Sequence, residues 1–227
     1  MKYLSILLLI LLTLSACMKQ DVNPTGPIIE PPFEKLISRD TLKTGQQWGI
    51  TIGQSNADIY AKIQEIQADK HIDYVGVVGN VFTSLAGFDT KIPLYQSIFL
   101  DQSSGTSTGI QISFADDKVK AIFTNDGTAL NKWPLNTAAN ATIAINDPVG
   151  GIYQKLVNIK QINAYANKFE RLSIFSKYVS KVYDPGMSAS PLWYFVAPLG
   201  AKRYNVVDLN FSNGKLVSIY SSVFESQ

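Results

Sequence analysis

The sequence predicts an α+β fold of two tandem repeats, each a helix followed by an antiparallel sheet of about four strands. Three observations predict it. A pattern of strand end, turn and amphipathic helix at residues 50–66 returns at residues 143–159. Hairpin-like segments downstream of each helix then return in the same order. An apolar start and a proline-rich stretch precede both repeats, as expected of an export signal and a spacer.

The N-terminus has the features of a secretory signal. A short basic start, MK, precedes an almost unbroken apolar run at residues 4–14. About eleven residues are too few to span a bilayer but suit the hydrophobic region of a signal peptide. The letters LSAC at residues 14–17 resemble the lipobox of bacterial lipoproteins, which implies a lipoprotein signal peptide over 1–17 and lipidation of Cys17. The alternative is an ordinary signal peptide with a chance cysteine.

The resemblance also predicts a location. Cys17 is the only cysteine, so the chain forms no internal disulfide. Acyl chains on it would hold the protein to a membrane without a spanning helix. Met18 stands where, in the enterobacterial sorting rule, an aspartate favours the inner membrane. We therefore expect a cell-envelope protein, lipid-anchored in the outer membrane, on either its periplasmic or its surface face.

Residues 18–36 are predicted to form a proline-rich tether. Proline removes backbone donors and biases the residue before it towards extended conformations, so such a segment favours a spacer of roughly 3 Å per residue. The four prolines are Pro24, Pro27, Pro31 and Pro32.

Apolar stripes predict the two helices. Ile59, Ile63 and Ile66 have the helical spacing i, i+4, i+7, and Ile152 begins the same pattern 93 residues later.

Each helix has a predicted start signal. Ser55 with Asp58 approximates a capping box, and Asp147 precedes Pro148 as a cap precedes proline at the first helical position.

Two hairpins are predicted after the helices. Asn213-Gly214 is the preferred two-residue turn, and Asp116-Asp117 is a weaker version of it. We place the repeats at 37–135 and 136–227, and expect them to join edges or share a core, because one unit alone buries little surface. The matching segments are 92–100 with 190–199, and 112–123 with 209–220.

A tandem of such units resembles the β-lactamase-inhibitor-protein-like architecture. The single unit resembles the small outer-membrane assembly lipoproteins of the SmpA/OmlA type. Their helix opens with a phrase G-x-S/T-x-x-x-V/I, and GQSNADI at residues 53–59 is similar. The second repeat lacks that glycine. The resemblance implies binding to another protein and no catalysis.

Composition narrows the chemistry. A net charge of +2, without a concentrated basic face, does not favour a nucleic-acid partner. The only histidine, His71, is interpreted as a solvated residue at a helix end, and one histidine with one cysteine cannot supply a zinc site. Asp116-Asp117 is interpreted as a turn former, with calcium binding as the alternative. We expect no cofactor and no metal.

The predicted function is that of a non-catalytic lipoprotein that binds an envelope protein partner, or assembles with it, through a β-sheet face. One alternative is a binder of a small apolar ligand or glycan in the groove between the repeats. A hydrolase with paired carboxylates is a third hypothesis. Large aromatic side chains are common at binding hot spots, although core packing is the other role open to them. The candidate partner-binding residues are Tyr95, Phe123, Trp193 and Tyr220.

Overall fold

Two six-stranded antiparallel sheets, each with a helix against one face, account for most of residues 34–226, the part of the chain that a computed structural model describes. The α+β prediction is confirmed at this level. Cys17, the signal and residues 18–33 of the predicted tether lie outside the described residues. The helices are α1 (Asn56–Lys70), α2 (Phe88–Lys91) and α3 (Ile152–Lys160).

The strands fall along the chain in two runs separated by short hairpins and helices. The strands of the first run are β1 (Glu34–Leu42), β2 (Gln46–Gln47), β3 (Ile50–Thr51), β4 (Tyr74–Val78), β5 (Val81–Phe82), β6 (Ser97–Asp101), β7 (Ile110–Ala115), β8 (Lys118–Thr124) and β9 (Ala129–Leu130). Those of the second run are β10 (Lys132–Trp133), β11 (Ile143–Ala144), β12 (Arg171–Ser173), β13 (Ser176–Tyr178), β14 (Leu192–Pro198), β15 (Arg203–Ser212) and β16 (Lys215–Ser226).

The first sheet has the strand order β1-β16-β15-β14-β4-β13. Its strands alternate buried and half-exposed side chains, and the buried set packs against α1. We call this packed set the split core, because it draws on residues 50–77 and again on residues 179–219. Its centre is Trp193, whose ring lies edge-on to that of Tyr60 at 6.4 Å between centroids.

The second sheet has the order β5-β12-β6-β7-β8-β9, and α3 packs against it. Its buried side chains all fall within residues 85–174, so we call this set the continuous core. The stripe Ile152, Leu156 and Ile159 faces this core from α3, as the spacing predicts.

The two sheets have the same plan. A three-stranded meander lies in the middle of each, β6-β7-β8 in one and β14-β15-β16 in the other. The last meander strand pairs with an edge strand from elsewhere in the chain, β9 or β1. The first pairs with β12 in one sheet and with β4 in the other, and the outermost strands there are β5 and β13.

The helices pack differently from the prediction. Helix α1 packs on β14, β15 and β16, which lie in the predicted second repeat, and α3 packs on the meander of the predicted first repeat. The two cores therefore do not follow the boundaries 37–135 and 136–227. The tether prediction also extends too far, since β1 begins at Glu34.

Most local signals act as predicted. Ser55 caps α1 by accepting a hydrogen bond from the Asp58 backbone N–H at 3.2 Å. His71 ends that helix, exposed and left-handed, as interpreted. Both predicted two-residue turns form, with positive φ at each central residue.

The cap predicted at Asp147 is wrong. A 3-10 turn at Val149–Gly151 precedes α3, so the helix begins four residues beyond Pro148. The Asp147 carboxylate instead accepts hydrogen bonds from the Ala144 backbone N–H and the Lys155 ammonium, each at 2.6 Å.

Candidate functional site

The first sheet presents one face that is not part of its core. Side chains there keep part of their surface exposed, whereas their neighbours along each strand are buried against α1. A half-exposed sheet face rich in tyrosine and valine has the composition of a recognition surface. We call it the open face and define it by Tyr74, Leu192, Tyr194, Val196, Val206, Asp208, Tyr220 and Phe224.

A cross-strand row organises the open face. Gly76, Tyr194, Asp208 and Tyr220 stand opposite one another on four adjacent strands. The Tyr194 ring lies directly over Gly76, where an added Cβ would stand only 2.1 Å from the ring. Glycine at this position therefore lets the tyrosine lie flat across β4, which gives the face an aromatic surface with little relief.

Asp208 places a carboxylate in the middle of this row. Burial raises the pKa of Asp208, and the positive charge of Arg39 on β1 opposes that rise. Arg39 itself donates a hydrogen bond to the Ser222 hydroxyl at 3.2 Å, and within residues 34–226 no ion pair forms to Asp208. A half-buried carboxylate between two tyrosines is suited to accept a hydrogen bond from a partner.

A cavity of about 370 Å³ lies where the chain passes between the sheets. The chain leaves the first sheet through Gly79-Asn80 and returns to it through Ile174-Phe175. The two crossings are hydrogen-bonded to each other, from Val77 N to the Phe175 carbonyl at 2.6 Å and from Ile174 N to the Asn80 carbonyl at 3.2 Å. We call this space the junction cavity.

The junction cavity has an aromatic and aliphatic wall. The rings of Phe99 and Phe175 are stacked, with centroids 4.8 Å apart and planes inclined by 21°. Val77, Val78 and Val81 line the same space, and Tyr194 joins it to the open face. A body of this size and polarity fits the usual range of small-ligand sites, about 300–1,000 Å³.

The polar rim is held in place by Asp101 at the end of β6. Its carboxylate accepts hydrogen bonds from the Thr106 backbone N–H and hydroxyl, the Gln102 backbone N–H and the Asn125 side chain, at 2.7 to 2.9 Å. Burial pushes the pKa of Asp101 upward, but these donors outweigh it and lower the pKa below its ordinary value. Gly109 makes room for this arrangement, because a Cβ there would stand 2.6 Å from the Asp101 carboxylate.

Arg171 stands beside this rim. It lies opposite Asp101 on the neighbouring strand β12, is exposed, and lines the cavity. Sequence reasoning missed Arg171, since a single arginine at the start of a strand-like run gives no signal. The Phe99–Phe175 stack was equally hidden, because the two rings come from segments 76 residues apart.

The sequence-predicted partner residues divide into two pairs. Trp193 is 0% exposed and Tyr95 1% exposed, so neither can contact a partner on this surface, and the prediction is wrong for both. Tyr220, 37% exposed, lies on the open face, and the half-buried Phe123 lies on the second sheet beside Gln111. Their partner-binding role stays a prediction.

Tyr95 has a structural role instead. Its hydroxyl donates to Asp184 at 2.8 Å and accepts from the Asn80 side chain at 3.1 Å, and Lys91 donates to the same carboxylate at 2.7 Å. Burial pushes the pKa of Asp184 upward, but the hydrogen bond from Lys91 leads a set of donors that lowers it overall. The network links α2 to the crossing at Asn80 and braces the inner side of the junction.

The described residues carry no metal-binding cluster of three or more histidine, cysteine, aspartate or glutamate side chains. No helix between residues 34 and 226 is both long enough and apolar enough to cross a membrane. Comparison of the chain with protein-family models, with curated proteins and with solved structures found no match.

Proposed function

We propose that this protein is a non-catalytic module of the cell envelope that binds a protein partner through the open face of its first sheet. The observation that carries the proposal is the open face itself, a tyrosine- and valine-rich surface on a six-stranded sheet whose other side is fixed by α1. Tyrosine is enriched at binding hot spots, and a carboxylate such as Asp208 adds specificity.

The anchoring part of the proposal rests on the sequence. The LSAC motif at residues 14–17 supports lipidation of Cys17, and the proline-rich residues that follow support a spacer to the folded part. In this arrangement the module works close to an outer-membrane surface, and its partner is an envelope protein.

We also infer that the chain arose by internal duplication. The common plan of the two sheets supports this, because each equivalent element comes in the same order along the chain. Under this reading each repeat places its helix on the sheet of the other, and the two crossings at the junction mark where the exchange occurs.

Site-specific photo-crosslinking in the native organism tests the protein-binding function. A benzophenone amino acid at Tyr220 reports on the open face, and the same label at Val182, which is 70% exposed outside the sheets, is the matched control. We expect one discrete protein adduct from position 220 and none from 182. Val206→Asp, which adds a charge to the open face, should abolish the adduct, whereas Val182→Asp in the labelled background should not.

The proposal fails if position 220 gives no adduct, or if both positions give the same adducts. Trp193→Ala is unsuitable for this test, because Trp193 is a core residue and its loss would unfold the sheet rather than remove a contact.

The alternative function, binding of a small apolar ligand or glycan between the two halves, is favoured by one observation, the junction cavity. Its position between the two sheets matches the predicted groove, and its wall is largely apolar.

A further inference from the structure

We propose that the junction cavity binds a small amphipathic anion, a carboxylate with an aromatic or aliphatic body, whose charged group pairs with Arg171. This inference rests on the alternative function above and names its ligand class. It is independent of protein binding through the open face.

The apolar wall selects the body of the ligand. Three valines, Leu100 and the stacked rings of Phe99 and Phe175 surround most of the space. Val78 and Val81 are 41% and 45% exposed, so apolar surface at the mouth remains in contact with solvent. Covering that surface with an aromatic or aliphatic group is favourable, because water is released from both partners.

The charge balance of the rim selects an anion. The Asp101 carboxylate is already satisfied by four hydrogen bonds, and the charge of Lys168 lies close enough to lower its pKa further. Arg171 makes no hydrogen bond through its side chain, and no ion pair, within residues 34–226. One positive charge is therefore left over at the mouth of the cavity.

The chemistry of that charge favours a carboxylate. A guanidinium is planar and presents paired N–H donors that match the two oxygens of a carboxylate. Two hydroxyl groups, those of Ser173 and Tyr194, line the same cavity and make no hydrogen bond to other described residues. They can orient the carboxylate or accept a polar substituent of the body.

The test uses 2-naphthoate as probe and its neutral counterpart, 2-naphthalenemethanol, with the full chain. Binding is measured by titration calorimetry on the native protein and on Arg171→Gln. Arg203→Gln is the matched control, because Arg203 is exposed on β15 and forms an ion pair with Glu225 away from the cavity. We expect saturable one-to-one binding of 2-naphthoate that Arg171→Gln weakens about tenfold, with the neutral alcohol unaffected.

A second variant tests the position of the site. Ser173→Trp fills the cavity from β12 and should abolish binding of both probes, with folding checked by circular dichroism. Equal affinity of the native, Arg171→Gln and Ser173→Trp proteins for 2-naphthoate, or no saturable binding, would overturn the proposal. Displacement of 2-naphthoate by a neutral oligosaccharide would also overturn it in favour of a glycan.

The two proposals fail separately. Val206→Asp disrupts the open face and should leave the affinity for 2-naphthoate within twofold of the native value. Arg171→Gln removes the anion site and should leave the photo-adduct at position 220 intact. Loss of 2-naphthoate binding in Val206→Asp would overturn the assignment of the ligand to the junction cavity.

Discussion

The continuous core and the split core have sheets of the same plan but differ in how the chain supplies them. All buried side chains of the continuous core come from residues 85–174, whereas the split core needs residues 50–77 and residues 179–219 together. The continuous core can therefore assemble from local sequence, while the split core forms only after the chain returns from it. The comparison teaches that a repeat in sequence and a unit of packing need not share boundaries.

The largest expected effect comes from cutting the chain in two ways. A fragment of residues 80–175 holds the whole continuous core with α3 and should fold cooperatively. A fragment of residues 37–135 holds α1 without its sheet and the β6-β7-β8 meander without α3, so it should be unfolded or self-associate. Thermal denaturation followed by circular dichroism, with sedimentation to detect association, distinguishes the two fragments.

A cooperative, monomeric transition for 37–135 would show that the sequence repeat, rather than the core, is the folding unit. Failure of 80–175 to fold would show that the continuous core depends on the split core.

A buried lysine distinguishes the split core at intermediate scale. Lys177 is 0% exposed, and its ammonium donates to the Tyr60 hydroxyl and the Tyr178 carbonyl, each at 2.9 Å. Burial is the main cause that lowers the pKa of Lys177 to about 7, helped by the charge of Lys181 and opposed by that of Asp184.

The sign of the pH effect follows from this lowered pKa. Between pH 7 and the ordinary lysine pKa of about 10.4, the unfolded chain holds a proton that the folded chain has lost. The free energy of unfolding should therefore rise with pH above 7, at a slope of at most about 1.4 kcal/mol per pH unit. Guanidinium denaturation at pH 6.5 to 9.5 measures this slope.

Two variants isolate the contribution of Lys177. Lys177→Met keeps most of the side-chain volume without the charge and should flatten the profile over this range. Lys202→Met, at an exposed lysine, should keep the native slope. An unchanged slope in Lys177→Met would mean that another group is responsible.

The smallest expected effect compares the two equivalent turns. Asn213-Gly214 and Asp116-Asp117 both hold two residues at positive φ, which glycine adopts without steric cost and aspartate does not. Asp117→Gly should raise the free energy of unfolding by about 0.5 kcal/mol, and Gly214→Asp should lower it by about 1 kcal/mol. Denaturant titrations of the two variants measure both changes, and a result of opposite sign in either would contradict this account of the turns.

Local features were predictable because their causes are local. The Ser55 cap, the two hairpin turns and the apolar stripes of α1 and α3 depend on residues within one or two turns of chain. Periodicity reports which face of an element is apolar, but it does not report which sheet that face meets. The exchange of α1 and α3 between the two meanders therefore could not be read from the stripes.

The site was less predictable for the same reason. Tyr95 and Trp193 alternate with other apolar residues, and nothing in such a run distinguishes a core aromatic from a surface one. Tyr194, the next residue after Trp193, lies on the open face because a strand turns successive side chains to opposite sides. The junction cavity needs two crossings brought together, and only their pairing in the folded chain places Arg171 beside Phe99.

The edge strand β1 determines how the folded part responds to tension from its N-terminal side. Glu34, its first residue, pairs with Ser226 near the C-terminus, and the remaining pairs follow in order along β16. Force applied through the residues before Glu34 loads these pairs one at a time, as in opening a zipper, and peeling of this kind yields at lower force than sliding whole strands past each other. A protein held at that end would give way first at β1, which would bare the edge of β16 while leaving both helices in place.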